Sequence, residues 1–402
     1  MKNQKRHLIL LVAVLGLFLN SCLEEFDFQT ETFESAIVVE ATITNELKNH
    51  EILITRTFRF EEDGPSTESN ADVRIVDGNG MTYNFQEVEP GVYRSINQFS
   101  AQSNVNYQLF ITTSNGRTYE SQTAMLTNIT QIDNLQANRI TNDDGENGMQ
   151  ILVNSFDPTG NSIRYRYEYE ETYKIIAPFW NPSDLIVISA EEPFEVAIAP
   201  KTQEERICFG SASSNSIILT DTNDFTEDRV SDFEVRFLNS NNYIISHRYS
   251  ILVRQFVMSA ESYNFYRTLR DLSNSESLFN QNQPGFLAGN VFSTINQNEK
   301  VIGYFDVSSV DSERLFFNYS DFYTNEPLPP YASGCALSAP ELTSPGPPSS
   351  SPLIAQIQAG ILKYFNDNDA PGEGEGPYYM VPRACGDCTA LGSNIVPSFW
   401  VD

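Results

Sequence analysis

The chain has 402 residues, of which 25 are lysine or arginine and 53 are aspartate or glutamate, so its formal net charge is −28 at pH 7. Phosphate backbones and anionic lipid headgroups repel a surface this acidic, which all but excludes a nucleic-acid partner. A hydrophobic fraction of 40% and an aromatic fraction of 12% are typical of a folded globular protein, and the length allows two or three domains.

The N-terminus has the layout of a bacterial lipoprotein signal. Three basic residues among the first six are followed by an apolar run from Leu8 to Leu19, which is shorter than the ~20 residues that span a bilayer. A Leu-Asn-Ser-Cys sequence then ends at Cys22 and resembles the lipobox at which such signals are cleaved. We therefore expect residues 1–21 to be removed as a signal peptide. Cys22 is expected to carry a diacylglycerol and a further acyl chain such as palmitate, which anchor the protein in a membrane.

Residues 22–35 follow as an acidic tether that includes Glu24, Glu25 and Asp27. Such a cluster behind a lipidated cysteine is similar to the export signal of lipoproteins on the outer face of the Bacteroidota outer membrane. A plain solvated tether is the alternative. Loss of three basic residues with the signal leaves 22 basic and 53 acidic side chains, a net charge of −31. The expected location is the outer membrane, facing the cell exterior.

Short strands account for most of the sequence between residues 36 and 127. Apolar residues alternate from Ile37 onward, and Asp77-Gly78-Asn79-Gly80 is a strong hairpin turn between two alternating segments. Six or seven strands with turns every 8 to 15 residues predict a β-sandwich of the immunoglobulin or transthyretin kind. The chain is thus expected to be mainly β.

A second β-rich domain is predicted for residues 128–323. Its clearest strand carries Tyr165, Tyr167 and Tyr169 on one face and charged residues on the other. The tyrosine row is a weak candidate for a binding platform for sugars, and a half-buried sheet face is the plainer interpretation. Aromatic residues and leucines at helical spacing after Ser259, a suitable N-cap, predict one helix.

The C-terminal segment, residues 324–402, begins with a proline- and serine-rich stretch and is predicted to pack on the body with a short helix. Four cysteines remain after the lipidated one, an even number in an oxidising compartment. Two structural disulfides are therefore expected among Cys208, Cys335, Cys385 and Cys388, and three connectivities are open. Redox chemistry at the final Cys-x-x-Cys is a weaker alternative, because a thioredoxin-like pair needs a βαβ context that is not predicted here. A zinc site is also weaker, because such sites normally use two Cys-x-x-Cys pairs and the other two cysteines are isolated.

No catalytic motif is visible in the sequence. Only His50 and His247 remain in the mature chain, and no Ser–His–Asp pattern, nucleophile elbow, zinc-protease motif or phosphate loop occurs. Acidic stretches at Asn142–Gly145 and Asp367–Asp369 offer oxygens to calcium, but neither fits the twelve-residue calcium loop. We expect a protein without enzymatic activity, metal or other cofactor, and leave calcium binding in these loops open.

Several segments resemble one family. The lipidated cysteine with its acidic tether is one such feature, and the other matching stretches are Ile37-Val38-Val39-Glu40, Ala71–Ile75, Gly91-Val92-Tyr93, Tyr167–Glu171, Arg248–Gln255, Gly289-Asn290-Val291 and the ending from Cys385 to Trp400. On these motifs the chain is similar to the Bacteroidota outer-membrane lipoproteins grouped as domain-of-unknown-function 4249. The resemblance implies a TonB-dependent outer-membrane receptor as partner, because members are commonly encoded beside one. It implies no catalytic residue.

These observations predict a surface-exposed lipoprotein that acts as a non-enzymatic accessory subunit of a TonB-dependent transporter, capturing a ligand or capping the barrel. The alternative is a stand-alone surface module for glycan or protein binding and adhesion, which would use the tyrosine-rich sheet. A hydrolase is a third hypothesis, for which the 53 acidic residues supply many pairs and no means of choosing among them. The sequence does not name the ligand.

Overall fold

Strands dominate the structure, as the alternating sequence patterns predict. The computed structural model describes residues 35–58, 64–273, 287 and 289–402. Strands take up 47% and helices 10%, so the predicted mainly β class is confirmed.

The N-terminal strands follow one another through short turns. They are β1 (Ile37–Thr44), β2 (Glu51–Arg56), β3 (Ser66–Thr67), β4 (Asp72–Asp77), β5 (Thr82–Glu89), β6 (Val92–Ser95), β7 (Asn106–Thr112), β8 (Thr118–Ser121) and β9 (Ala124–Met125). The predicted hairpin turn joins β4 to β5, and Asp77 Oδ1 accepts from the backbone N–H groups of Asn79 and Met81 at 2.9 Å. Gly80 adopts a φ of +84°, a conformation that glycine reaches without steric cost.

The middle of the chain adds longer strands. They are β10 (Ile132–Thr141), β11 (Asn147–Phe156), β12 (Arg164–Ile176), β13 (Ser183–Ser189), β14 (Glu195–Pro200), β15 (Ile207–Ser213), β16 (Ile218–Asp221), β17 (Arg229–Asn239) and β18 (Arg248–Val257), with a 3₁₀ helix at Tyr243–Ile245. Strands β10, β11 and β17 form a separate antiparallel sheet, and β13 forms a two-stranded sheet with β14.

The predicted helix α1 (Ala260–Ser273) follows β18. Ser259 begins it as expected, since its Oγ accepts from Ser262 N at 3.1 Å. The remaining elements are β19 (Val291–Ser293), β20 (Val301–Asn318), α2 (Tyr319–Phe322), α3 (Pro352–Gln358), β21 (Leu362–Asp367), β22 (Tyr378–Pro382), α4 (Arg383–Gly386) and a 3₁₀ helix at Cys388–Ala390. Among the described residues no helix combines the length and the apolar character needed to cross a bilayer.

Strand β20 joins the two halves of the molecule into one sheet. Its first half pairs in parallel with β1, from Ile37 opposite Val301 onward, and its second half pairs antiparallel with β18. The resulting strand order is β15-β12-β18-β20-β1-β2-β6-β5-β4-β7-β8-β19. Gly303 permits the close approach to β1: its φ is +138°, and a Cβ atom there would lie 2.1 Å from the Val39 carbonyl oxygen.

Two large cores lie on either side of this junction. The N-terminal core consists of inward residues of β1, β2, β4 to β8, β19 and β20, such as Ile37, Ile75 and Phe305. The second core lies between the β10-β11-β17 sheet and one face of β12 and β18, with Ile151 and Tyr249 fully buried. The opposite face of β12, β18 and β20 is only partly covered, and the candidate site lies there.

Candidate functional site

The lipid-anchor residues predicted from sequence lie outside the described residues. Cys22 and the export residues Glu24, Glu25 and Asp27 precede Ser35, where the described chain begins. Lipidation and export therefore remain predictions from the sequence.

The expected disulfides are present. Cys208 bonds to Cys388 and Cys335 bonds to Cys385, with S–S distances of 2.03 and 2.09 Å. The two cysteines of the Cys-x-x-Cys thus bond to different partners, which fixes the C-terminal segment to β15 and to the preceding proline-rich loop. Within the described part of the chain no group of three or more His, Cys, Asp and Glu side chains could hold a metal ion.

The tyrosine row is not an exposed platform. Tyr165, Tyr167 and Tyr169 are 0%, 1% and 7% exposed, because the β10-β11-β17 sheet covers this face of β12. The Tyr165 hydroxyl donates to Asp228 Oδ1 at 2.9 Å and the Tyr167 hydroxyl to Gln255 Oε1 at 3.0 Å. The prediction of a sugar-binding platform on these three residues is wrong, since a ligand cannot stack on buried rings.

The other face of β12 carries an arginine row that the sequence analysis did not single out. Arg254 on β18 lies opposite Glu168, and Glu168 is two residues after Arg166 on β12. Arg314 on β20 lies opposite Leu252, and Leu252 is two residues before Arg254 on β18. Directly opposed residues in antiparallel strands share a sheet face, so the three arginines form a diagonal line across β12, β18 and β20.

Helix α1 covers one end of this face. Tyr263 of the helix packs with Phe256 and Val310, and Tyr266 extends the contact toward Arg166. The Arg166 guanidinium carbon lies 4.3 Å from the centre of the Phe256 ring and 4.9 Å from that of Tyr266. These stacking contacts hold the side chain in place with only 8% of the residue exposed.

The C-terminal tail covers the other end. The Trp400 ring centre lies 5.7 Å from that of Phe316, and the Phe399 ring centre lies 3.6 Å from the guanidinium carbon of Arg314. Arg248 Nε holds the tail by donating to the Val401 carbonyl oxygen at 2.5 Å. Between the helix and the tail, the described residues leave part of the sheet face open.

The open part is a cavity of about 350 Å³ with charged and hydroxylated walls. Its lining combines Arg166, Arg254, Glu168, Glu170 and Tyr266 with the connection from Ser213 to Ile217. Tyr167 and Tyr169 also border it, although their rings are buried in the second core. We call this cavity the arginine groove; Arg314 continues the arginine row beyond its lining, beneath the C-terminal tail. Its volume lies within the range of small-molecule sites in proteins.

The three arginines differ in their ion pairs. Arg166 pairs with Glu168, and Arg254 pairs with Glu46 from the loop after β1. Arg314 donates to Ser250 Oγ at 3.0 Å, and no carboxylate of the described residues lies within ion-pair distance of it.

The guanidinium groups also retain unused donors. The buried Nε–H groups of Arg166 and Arg254 have no acceptor in the part of the chain that the structure describes. Each buried donor without an acceptor costs about 1–3 kcal/mol, so the groove is a favourable place for an added acceptor.

Burial and neighbouring charges act in opposite directions on these arginines. Burial lowers the pKa of Arg166, but Tyr266, Glu168 and the buried Asp306 raise it more, so the pKa lies above its usual value. Burial lowers the pKa of Arg314, and Glu170 offsets only part of this effect. Arginine stays protonated at neutral pH in both environments, so the row presents fixed positive charge.

A larger cavity of about 810 Å³ lies beside Ser35, where the described chain begins. Its main charged groups pair with each other: Arg56 Nε lies 2.6 Å from Glu68 Oε2, and Arg117 Nη1 lies 2.9 Å from Glu299 Oε1. Among the described residues, Arg56 and Arg117 have no buried donor without a partner, whereas Arg166 and Arg254 each have one, the Nε–H group, so we regard the arginine groove as the stronger candidate for a binding site.

The sequence profile of the family described as Domain of unknown function (DUF4249) matches residues 23–314. The chain belongs to this family. The family named from the sequence motifs is thereby confirmed, and the match in this DUF4249 chain includes Arg166 and Arg254 and ends at Arg314. The cysteine-rich ending lies beyond it. No curated protein matches the chain.

Among solved structures, this DUF4249 chain is similar to a DUF4785 family protein from Legionella pneumophila, with 11% sequence identity and a TM-score of 0.15. The similarity covers 54% of this chain and 48% of that one, so the chain spans about half the length of its structural neighbour. A likeness this distant carries no argument about function.

Proposed function

We propose that the protein is a surface-exposed outer-membrane lipoprotein and a non-enzymatic accessory subunit of a TonB-dependent transporter, for which it captures a ligand. The arginine groove carries this proposal. It is a cavity of about 350 Å³ whose walls carry two arginines and two glutamates, on a protein whose net charge is −28. Such a site selects a ligand by its charge pattern, which suits capture before transport.

The predicted anchor lies close in sequence to the folded body, since β1 begins at Ile37, 15 residues after Cys22. Family membership supports a transporter as partner, because the DUF4249 resemblance implies a TonB-dependent receptor.

The buried histidine contacts a backbone carbonyl group rather than a nucleophilic side chain. The His50 ring is fully buried, and its Nε2 lies 3.0 Å from the Phe99 carbonyl oxygen. Within the described residues no serine or cysteine side chain bonds to an imidazole. A nucleophile activated by histidine would require such a bond.

The anchor is tested by labelling cells with radioactive palmitate. The wild-type protein is expected to take up the label and to be cleaved by protease added to intact cells, and Cys22→Ser is expected to lose the label. Replacing Glu24, Glu25 and Asp27 by Gln, Gln and Asn is expected to keep the label and lose protease access. A label that survives Cys22→Ser contradicts the anchor.

The partner is tested by affinity purification of the tagged lipoprotein from detergent-solubilised outer membranes, with mass spectrometry of what accompanies it. A TonB-dependent barrel that is present with the wild-type protein and absent with Cys22→Ser supports the proposal. A solitary lipoprotein contradicts it and favours the stand-alone binding module.

A further inference from the structure

The positive and negative charges of the arginine groove lie at different depths. Arg166 is 8% exposed, and the Arg254 side chain is 19% exposed. The Glu168 side chain is 43% exposed, and Glu170 is an exposed residue. The floor of the groove is therefore positive and its rim is negative, a pattern that fits a ligand with charges of both signs better than a simple anion.

We propose that the arginine groove binds a small zwitterion of the short-peptide class, with its carboxylate toward Arg254 and its ammonium toward Glu170. Arg254 lines the cavity, and its ion pair with Glu46 uses only part of its donor capacity. Glu170 lies in the same wall, and none of the ion pairs among the described residues includes it. The hydroxyl and amide groups between Ser213 and Ile217 can bond to the peptide backbone.

The positions of Glu170 and Arg254 on the sheet match a short ligand. Glu170 lies opposite Leu252 and Arg254 lies opposite Glu168, so Glu170 and Arg254 are diagonal neighbours on adjacent strands. The backbone positions of such neighbours are about 7–8 Å apart. An extended chain advances about 3.3–3.6 Å per residue, so a di- or tripeptide is comparable in length to the spacing of the two residues. A cavity of about 350 Å³ holds a ligand of this size.

The test measures binding of trialanine to the full-length lipoprotein in detergent micelles by titration calorimetry. We expect saturable binding at concentrations up to about 1 mM. The C-terminal amide of trialanine is expected to bind at least tenfold more weakly, because it removes the charge-assisted bonds to Arg254. N-acetyl-trialanine is expected to bind several-fold more weakly, because it loses the contact with Glu170. Absence of saturable trialanine binding overturns the proposal.

Variants at Arg254 and Glu170 test the contacts with the two ends of the ligand separately. Arg254→Met is expected to weaken trialanine and N-acetyl-trialanine alike by tenfold or more, and Glu46 keeps Lys48 as its ion-pair partner at 2.7 Å. Glu170→Gln is expected to weaken only trialanine. Arg74→Met is the matched control. Like Arg254, Arg74 lies over a phenylalanine ring and pairs with a carboxylate, but it lies on β4, remote from the groove. Equal losses in Arg254→Met and Arg74→Met overturn the assignment.

Glucuronate supplies a carboxylate without an ammonium group. We expect it to bind more weakly than trialanine and to be insensitive to Glu170→Gln. Binding of glucuronate as tight as that of trialanine overturns the peptide assignment in favour of acidic sugars. The inference rests on the proposed capture function, but the two fail separately: calorimetry on the isolated lipoprotein tests the ligand, and co-purification tests the transporter.

Discussion

His50 gives the structure a specific dependence on pH. The residue is fully buried just before β2, and its backbone N–H donates to Ser95 Oγ at 3.0 Å. Its Nε2 lies 3.0 Å from the Phe99 carbonyl oxygen, and the Phe99 ring packs on the imidazole at 4.6 Å between ring centres. Nδ1 is buried and has no acceptor in the described residues, so a second ring proton has nowhere to donate. The folded protein therefore holds this histidine neutral.

The size of the effect follows from the pKa. Burial lowers the pKa of His50 from 6.5 to about 4, against the smaller opposite effect of the Phe99 carbonyl. Below pH 6.5 the unfolded chain takes up a proton that the folded chain takes up only near pH 4. Stability is therefore lost as the pH falls from 6.5 to 4 and not above this window. A difference of about 2.5 pKa units corresponds to about 3 kcal/mol.

Urea unfolding of the wild type and His50→Gln between pH 7.5 and pH 4 measures this contribution. Carboxylates titrate in the same window, but their effect cancels in the difference between the two proteins. We expect the wild type to lose about 3 kcal/mol more than the variant across the window. His247→Gln is the control, and a smaller difference is expected because its ring is only partly buried. Parallel curves for the wild type and His50→Gln would refute the argument.

Three further predictions concern stability. Replacing Cys208 and Cys388 by serine opens a loop of 180 residues and is expected to lower the free energy of unfolding in urea by up to about 5 kcal/mol. An unchanged midpoint of urea unfolding contradicts a structural role for this disulfide. Gly303→Ala is expected to lower the free energy of unfolding by at least about 3 kcal/mol, because the new Cβ would meet the β1 backbone. Gly116→Ala is expected to lower it by about 1 kcal/mol, because its Cβ meets nothing within 4 Å. Equal losses contradict the close packing of β20 on β1. Tyr167→Phe is expected to lower the free energy of unfolding by about 1–2 kcal/mol, because the hydrogen bond to the buried Gln255 side chain is lost. Ligand binding measured by calorimetry is expected to stay unchanged. Lost binding would contradict the conclusion that the tyrosine row is not a binding platform.

Local features were predictable from the sequence because their causes are local. The hairpin turn at Asp77–Gly80 and the helix after Ser259 depend on neighbouring residues, and both appear where expected. Alternation along β12 also shows that Tyr165 and Tyr167 share a face. It does not show which face a second sheet covers, and here β10, β11 and β17 cover the tyrosines.

The arginine groove depends on contacts between distant parts of the chain. Arg166, Arg254 and Arg314 become neighbours only through the register of β12, β18 and β20, which single-sequence periodicity does not specify. The parallel pairing of β1 with β20 is equally non-local. The cysteine pairing was open for the same reason. The alternation along β12 places Arg166 and Glu168 on the face opposite the tyrosines, but it does not show that Arg254 and Arg314 extend this face across β18 and β20.

The most direct test of the account is the native mass of the tagged lipoprotein purified from outer membranes in a mild detergent. The account predicts a complex whose mass equals the lipidated protein plus a TonB-dependent barrel, released intact from wild-type cells and missing from Cys22→Ser cells. A single species with the mass of the lipoprotein and its acyl chains alone would contradict the accessory-subunit function.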